Sequence, residues 1–164
     1  MNKNLKITLF GLAFILTIPK IFAGNSNSFG SLTVSKITRP CDPLGCGYFG
    51  AARGVNEHKG IDFIVYENQG IKAPFDCRIT RYGFPYLNDP RYRLVEIQGL
   101  KRFSDYTAKI FYIKISHPIG TTISKGSTIC LADDISIKFD SRMQNHIHFE
   151  LYKNGILIDP TPYF

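Results

Sequence analysis

Short segments rich in β-branched and aromatic residues make up most of this chain, and Gly, Pro and Asn residues separate them. Ile61–Tyr66 and Thr107–Ile115 show the pattern clearly, and Asn154-Gly155 before Ile156–Ile158 is a strong two-residue hairpin signal. A helical period is hard to find, although residues 134–143 are compatible with a short helix. Further strand-like segments are Gly70–Phe75, Cys77–Tyr82, Arg93–Ile97, Thr128–Ala132 and His146–Tyr152. Short strands joined by turns predict an all-β (minor α) fold, a compact antiparallel β-sheet in one domain.

The first 23 residues have the composition of a secretory signal peptide. Lys3 and Lys6 precede the apolar run Ile7–Pro19, and Ala23 offers a small residue at a cleavage point. The run is shorter than the roughly 20 residues that a membrane-spanning helix needs. An uncleaved anchor is the alternative. We expect cleavage near Ala23 and a secreted or periplasmic protein without a stable membrane span.

The mature chain is expected to hold a polar lead-in at residues 24–40 and one folded domain at residues 41–164. The formal net charge of the whole sequence is +7, and the loss of Lys3, Lys6 and Lys20 with the signal peptide reduces it to +4. This mildly basic balance favours contact with anionic polymers such as cell walls or glycans. Nucleic acid is disfavoured, because no basic run or aromatic-basic ladder is present.

Four cysteines follow the expected cleavage site, at positions 41, 46, 77 and 130. An even number in an exported chain predicts two disulfides, with three possible connectivities. Cys41 and Cys46 bracket a turn-rich loop that a local bridge would close, and Cys77 and Cys130 would then pair by elimination. Zinc ligation by these thiols is the less favoured alternative, because no Cys-x-x-Cys spacing is present.

Three of the four histidines lie in two clusters. The first cluster is His58-Lys59-Gly60-Ile61-Asp62, and the second is His146-Ile147-His148, about ninety residues later. A lone His-x-His in a strand is more often a surface feature than a ligand pair, so the combination of the two clusters carries the information. Such a concentration of ligands in a secreted chain favours a zinc site of three protein ligands with a position left for water.

The spacing within each cluster constrains its geometry. In a strand, residues i and i+2 face the same side, so His146 and His148 point together. A straight strand would place His58 and Asp62 roughly 13 Å apart, so the chain must bend, and Gly60 permits that bend. The resulting hypothesis has His58, Asp62 and His148 as zinc ligands and His146 as general base or transition-state donor.

These clusters and the segments around them resemble the lysostaphin-type zinc peptidases, bacterial enzymes that cut peptide cross-links of peptidoglycan. The matching stretches are His58–Phe63, Ala73–Phe75, His146–Gly155 and Asp159–Phe164. The family pattern is His-x-x-x-Asp plus His-x-His. The resemblance implies Zn²⁺ as cofactor, the same three ligands, a catalytic role for His146, and a compact antiparallel β-sheet domain with a metal groove.

A second resemblance is to the leukocyte cell-derived chemotaxin family, animal cytokines that share this fold and these metal ligands but are generally regarded as lacking peptidase activity. Thr38–Asp42, Gly45–Gly47 and Lys109–Lys114 carry it. The enzymes have a Tyr-x-His motif on a central strand, and the matching stretch here is Tyr112-Ile113-Lys114. Lys114 therefore takes the place of a catalytic histidine. An ammonium group can stabilise a developing oxyanion, and Tyr112 can donate as well; a solvated strand lysine is the alternative.

Two functions follow from these resemblances. The favoured one is a secreted zinc metalloendopeptidase that cleaves peptidoglycan cross-links by metal-activated water, because the segment HIHFELYKNG is closer to the enzymes. The alternative is a non-catalytic, chemotaxin-like zinc-binding module that recognises a glycan, a wall fragment or a receptor. Lys114 and the Cys41–Cys46 loop favour that alternative.

Overall fold

The computed structural model of the protein describes residues 28–139 and 142–164. The expected signal peptide and its cleavage point lie outside these residues. Among the described residues, no helix is long and apolar enough to cross a membrane. The strands are β1 Ala52–Arg53, β2 Asn56–Glu57, β3 Ile61–Ile64, β4 Gly70–Lys72, β5 Cys77–Gly83, β6 Arg93–Gly99, β7 Tyr106–Ile115, β8 Thr122–Ile123, β9 Thr128–Ala132, β10 His146–Lys153 and β11 Ile156–Ile158.

The prediction of an all-β fold is confirmed. Nine of the described strands form one antiparallel sheet with the main order β11-β10-β7-β6-β5-β8, while β1 and β2 form a separate hairpin. A single short α-helix among the described residues, α1 Ser136–Phe139, lies within the segment that was compatible with one, and 3-10 turns occupy Lys101–Phe103 and Thr161–Tyr163. β10 pairs with β7 along one edge and with β3 and β11 along the other. It therefore lies in the interior of the sheet, where its register is set from both sides.

Successive side chains of β10 point alternately to the hydrophobic core and to the candidate site. Ile147, Phe149 and Leu151 are fully buried on the core face. His146, His148 and Glu150 point to the opposite face, as period-2 geometry requires. Full burial of an apolar side chain of this size contributes about 1.5–3 kcal/mol relative to exposure. The core residues of β10 thus stabilise the one register that presents both histidines to the same cavity.

The described part of the expected lead-in packs on the sheet. Phe29 and Leu32 are buried, and the Phe29 ring stacks on Tyr163 with ring centroids 4.7 Å apart. The Gly30 amide donates to the Pro74 carbonyl (2.7 Å). Phe29 and Leu32 are part of the main hydrophobic core, because their apolar side chains pack against the sheet.

One of the two expected disulfides is present. Cys41 and Cys46 form the local bridge, with an S–S distance of 2.01 Å. The pairing of Cys77 with Cys130 is wrong: both are free thiols buried in the core. Cys77 begins β5, which pairs with β6 and β8, whereas Cys130 lies in β9, which pairs with β4 and β7. Burial raises the pKa of Cys77 to about 12, with a further contribution from Asp76, so this thiol packs as a small apolar group.

Candidate metal centre

Three side-chain atoms from the two histidine clusters converge at the start of β10. His58 Nε2 lies 2.8 Å from His148 Nδ1 and 3.1 Å from Asp62 Oδ1. His148 Nδ1 lies 3.0 Å from the same Asp62 oxygen. All three residues are buried. The structure therefore brings together the residues predicted as metal ligands.

Strand pairing and one glycine produce this convergence. In the register of β3 with β10, Asp62 lies directly opposite His148. His58 approaches from the segment before β3, where the chain bends as predicted. A Cβ atom on Gly60 would lie 2.2 Å from the Phe149 carbonyl oxygen and 2.8 Å from His148 Cε1. A glycine is required there because the backbone passes so close to β10 that no other residue has room for its side chain.

Hydrogen bonds on the outer side of each imidazole set its tautomer. His58 Nδ1 lies 2.8 Å from the Tyr48 carbonyl oxygen, and His146 Nδ1 lies 2.8 Å from the Gln144 carbonyl oxygen. A carbonyl oxygen only accepts, so Nδ1 carries a proton and Nε2 is the nitrogen of each ring that faces the cluster. His148 Nε2 lies 3.5 Å from Glu150 Oε1, which leaves His148 Nδ1 as the nitrogen facing the other ligands.

The cluster has the donor set and the spacing of a zinc site. Three acceptor atoms at these separations need a positive charge between them, either a shared proton or a metal cation. Two imidazole nitrogens and one carboxylate oxygen are typical zinc ligands, and in a tetrahedral site with bonds of about 2.0–2.1 Å such atoms lie about 3.3 Å apart. The observed 2.8–3.1 Å is close to that value. His58, Asp62 and His148 therefore fit a zinc ion with one position left open.

The second oxygen of Asp62 faces two arginines and one histidine. Arg39, itself buried, donates to Asp62 Oδ2 from Nη2 (3.1 Å) and Nε (3.2 Å). Arg53 Nη2 lies 3.9 Å from the same oxygen, and His146 Nε2 lies 3.6 Å from it. Burial acts to raise the pKa of the Asp62 carboxyl, but hydrogen bonds with His148 and His58 hold that pKa far below its ordinary value. Asp62 is therefore ionised and offers one free oxygen to a metal.

Arg39 also connects the metal cluster to the disulfide loop. Its Nη1 donates to the Asp42 carboxylate and to the Gly45 carbonyl oxygen (3.0 Å), both within the loop that the Cys41–Cys46 bridge closes. The Asp62 amide in turn donates to the carbonyl of Gly47 (2.8 Å). The loop thus encloses the metal-ligand carboxylate from the side opposite to β10.

His146 faces the cluster without being one of the three converging ligands. Its ring is buried, and burial lowers its pKa from the ordinary value despite the nearby carboxylate of Asp62. The imidazole is therefore neutral at neutral pH. With Nδ1 held by the Gln144 carbonyl, Nε2 is free to accept a proton.

A β-bulge directs Tyr112 into the cavity. In the pairing of β6 with β7, Leu94 lies opposite Phe111 and Arg93 opposite Ile113, so Tyr112 is the extra residue, with φ 64°. A positive φ at a bulky residue is rare and is associated with bulges near functional sites. As a result, consecutive residues Phe111 and Tyr112 both line the cavity.

The Tyr112 phenol is held by neighbouring aromatic rings. Its hydroxyl lies 3.1 Å from that of Tyr86, and its ring meets the His146 ring edge to face with centroids 5.6 Å apart. Burial, followed by the influence of Tyr86, raises the pKa of Tyr112 well above its ordinary value. The hydroxyl therefore keeps its proton at neutral pH and remains a hydrogen-bond donor.

The structure does not bring Lys114, the third predicted catalytic residue, to the cavity. Its ammonium group donates to Glu67 Oε1 (2.5 Å) and Asn68 Oδ1 (2.8 Å) in the turn after β3. The family resemblance implied a catalytic position for Lys114, but this residue lies beyond the bulge, where β7 pairs with β9 and Lys114 is opposite Leu131. His117 lies elsewhere as well, with Nε2 3.2 Å from the Thr128 carbonyl oxygen.

A cavity of about 430 Å³ surrounds the metal cluster. Its walls combine the polar cluster with apolar and aromatic side chains, and its lining residues are Arg39, Leu44, Arg53, His58, Asp62, Pro85, Tyr86, Phe111, Tyr112, Phe139, Met143, His146 and His148. Sequence reasoning missed Arg39, Arg53 and Tyr86 as site residues. Arg39 belongs to a segment that carries a family resemblance, but no local pattern marks an arginine that contacts a carboxylate 23 positions later.

Comparison with known proteins identifies the family. No protein-family model matches the chain. The chain is 33% identical over 126 residues to leukocyte cell-derived chemotaxin-2 of Bos taurus, covering 76% of this chain and 78% of the relative. It is 26% identical over 109 residues to an uncharacterized metalloprotease of Haemophilus influenzae, covering 65% of this chain and 21% of the relative.

Solved structures show the same fold. A zinc-containing peptidase from Vibrio cholerae matches with a TM-score of 0.59 at 20% identity, covering 80% of this chain and 39% of that one. The catalytic domain of the prophage-encoded M23 protein EnpA from Enterococcus faecalis matches with a TM-score of 0.57 at 17% identity, covering 82% and 97%. Both resemblances drawn from the sequence are thereby confirmed. The chain belongs to the family of leukocyte cell-derived chemotaxin-2 and has the fold of the lysostaphin-type (M23) zinc peptidases.

Proposed function

We propose that this protein is a secreted or periplasmic zinc metalloendopeptidase that cleaves peptide cross-links of peptidoglycan. The observation that supports it best is the convergence of His58, Asp62 and His148 in one cavity beside a neutral imidazole with a free nitrogen, that of His146. A metal site with an open position next to a general base is the arrangement that metal-assisted hydrolysis needs.

In this proposal the three ligands hold Zn²⁺, which supplies Lewis-acid activation of water and of the scissile carbonyl. His146 Nε2 accepts a proton from the attacking water and returns it to the departing amine, as a buried imidazole with a lowered pKa can do near neutral pH. The Tyr112 hydroxyl donates a hydrogen bond to the oxygen on which negative charge develops, and Tyr86 orients that hydroxyl. Lys114 has no part in this mechanism, because Glu67 and Asn68 hold its ammonium group.

The substrate assignment is supported by the fold. The solved structures on this fold include a zinc-containing peptidase and an M23 catalytic domain. The mature chain, after cleavage near Ala23, retains a net positive charge of +4, which suits an anionic wall polymer. Mass spectrometry of the N-terminus of the exported protein tests the cleavage point.

Digestion of purified peptidoglycan by the zinc-loaded mature protein tests the activity. Mass spectrometry of the soluble products should find new peptide termini at cross-links, and His146→Ala and His148→Ala should abolish them. His117→Ala, which changes a histidine outside the cavity, should digest as the wild type does. If walls of several chemistries give no new termini, the peptidase proposal is wrong.

Two observations favour a second function. The chain is 33% identical to leukocyte cell-derived chemotaxin-2, and the position of a second catalytic histidine holds an ion-paired lysine, Lys114. Both features suit a zinc-binding recognition module without catalysis. Zinc-loaded protein that co-sediments with insoluble peptidoglycan and leaves it undigested would support this alternative over the enzyme.

A further inference from the structure

Arg53 is a cationic side chain in the wall of the metal cavity, and no carboxylate of the described residues lies at hydrogen-bonding distance from it. Its guanidinium donates to two main-chain oxygens, those of Cys46 (2.5 Å) and Ala52 (3.3 Å). In the described part of the chain its single ion-pair contact is with Asp62 Oδ2 at 3.9 Å. That oxygen already accepts two hydrogen bonds from Arg39. Within the described residues, the positive charge of Arg53 is therefore only partly balanced, by Asp62.

The position of this guanidinium is fixed although the group is accessible. The Arg53 side chain keeps 28% of its surface exposed and lines the same cavity as His58 and His146. Its hydrogen bond to the Cys46 carbonyl anchors it to the disulfide loop. An arginine held by main-chain oxygens keeps further N–H groups for a planar anion, and a carboxylate matches that fork in a bidentate way.

The charges of the cavity favour an anionic ligand. Among the described lining residues, Arg39 and Arg53 are cationic and Asp62 is anionic, and Asp42 also pairs with Arg39, so these charges balance. A zinc ion held by Asp62 and two imidazoles would add two positive charges and leave an excess. In a cavity that is only partly open to solvent such charges are screened less than on a flat surface, so they attract an anion more strongly than fully exposed groups do.

Arg53 and the metal cluster lie on the two sides of a single carboxylate, that of Asp62. Arg53 Nη2 lies 3.9 Å from one oxygen of Asp62, and the other oxygen of Asp62 belongs to the ligand cluster. Consecutive Cα atoms lie about 3.8 Å apart. A peptide whose scissile carbonyl lies at the cluster can thus place a carboxylate of the next residue at the guanidinium.

We propose that Arg53 forms a carboxylate-binding subsite beside the metal centre and selects peptides with a carboxylate on the residue that follows the scissile bond. The proposal rests on the proposed peptidase function and adds a substrate class to it. The carboxylate is either an acidic side chain, as in an endopeptidase substrate, or the free C-terminus, in which case the same hydrolysis releases the last residue; both present the same planar group to the guanidinium.

Matched peptides test the subsite in the zinc-loaded mature protein. The substrates are acetyl-tetra-alanine with a free carboxylate, the same peptide as its amide, and acetyl-Ala-Ala-Ala-Glu amide. We expect the wild type to prefer the free acid over the plain amide by about tenfold or more in kcat/KM, chiefly through KM, because hydrogen bonds to charged groups are worth at least that factor. If the glutamate amide is cleaved as fast as the free acid, an acidic side chain serves as well as a free C-terminus as the carboxylate that Arg53 binds.

Variants separate recognition from a structural role. Arg53→Gln should bring the acid-to-amide ratio close to one, and Arg53→Lys, which keeps the charge and a donor for the Cys46 carbonyl, should retain part of the preference. Arg81→Gln removes an exposed cation paired with Glu96 and should leave the ratio unchanged. The proposal is overturned if the wild type cleaves the acid and the amide equally well. It is also overturned if Arg53→Gln, at equal zinc content, keeps the acid-to-amide ratio of the wild type.

A binding measurement tests the Arg53 subsite independently of peptidase activity. Calorimetric titration with N-acetylalanine and N-acetylalaninamide compares the two ligands in wild type and in Arg53→Gln at equal zinc loading. Arg53-dependent preference for the acid supports the subsite even if every peptide remains uncut, in which case the peptidase proposal alone has failed. Equal binding of the acid to wild type and variant removes the subsite even if peptides are cleaved.

Discussion

Arg39 holds one oxygen of Asp62 through two hydrogen bonds, which leaves the other oxygen for the metal cluster. Groups that orient a metal ligand typically contribute about 10–100-fold to metal affinity. We therefore expect Arg39→Met to lower zinc affinity by about 10–100-fold, with a smaller loss for Arg39→Lys. Competition with a chelator measures it, and Arg78→Met, an exposed arginine on β5, is the matched control. Equal affinity in all three variants would show that Arg39 does not position the ligand.

The disulfide loop should affect the metal centre through the same arginine. Double substitution Cys41→Ser/Cys46→Ser opens the loop, and with it the contacts of Arg39 to Asp42 and Gly45. Loss of a bridge across so short a loop costs about 2 kcal/mol of unfolding free energy in the chain-entropy description. Denaturant unfolding measures that loss, and chelator competition should find weaker zinc binding as well. A variant that loses stability but binds zinc as the wild type does would separate the loop from the metal centre.

The metal cluster was predictable from sequence because its geometry follows from local rules. Strand alternation places His146 and His148 on one face, and Gly60 marks the bend that brings His58 close. The bulge at Tyr112, which directs that side chain into the cavity, was not predictable, because no residue type there indicates it. The placement of Lys114 outside the cavity depends on its contacts with Glu67 and Asn68, 47 and 46 positions earlier. Contacts between distant segments, such as Arg39 with Asp62, leave no local pattern.

Counting thiols tests the corrected assignment of the cysteines. Elimination predicted a Cys77–Cys130 bridge, but each thiol is accommodated in the core, where burial holds its pKa high. Without reductant, we expect native protein to resist thiol-specific labelling and denatured protein to react at both positions. Mass spectrometry after labelling reports the number and the sites. If the denatured chain is not labelled, the second disulfide is present after all.

Tyr112 and Lys114 should differ sharply in their contribution to catalysis. The Tyr112 hydroxyl lines the metal cavity, whereas the Lys114 ammonium group is bound by Glu67 and Asn68. Loss of one preorganised oxyanion donor typically lowers kcat by about 10²–10³-fold, which is our expectation for Tyr112→Phe. Lys114→Ala should change kcat little. Peptidoglycan digestion at matched zinc content measures both, and the opposite ranking would return the oxyanion role to Lys114.

Metal removal should destabilise the fold at the junction of β3 and β10. His58, Asp62 and His148 join the segment before β3, β3 itself and β10 through one small cluster of buried polar atoms. A ligand that binds the native state alone stabilises it by about 4 kcal/mol at a free concentration of about 1,000 times its dissociation constant. Calorimetry with zinc and with a chelator should therefore find a higher melting temperature for the zinc form. Asp62→Ala should abolish that difference, and His117→Ala should preserve it. Identical shifts in wild type and Asp62→Ala would place the bound zinc at another set of ligands.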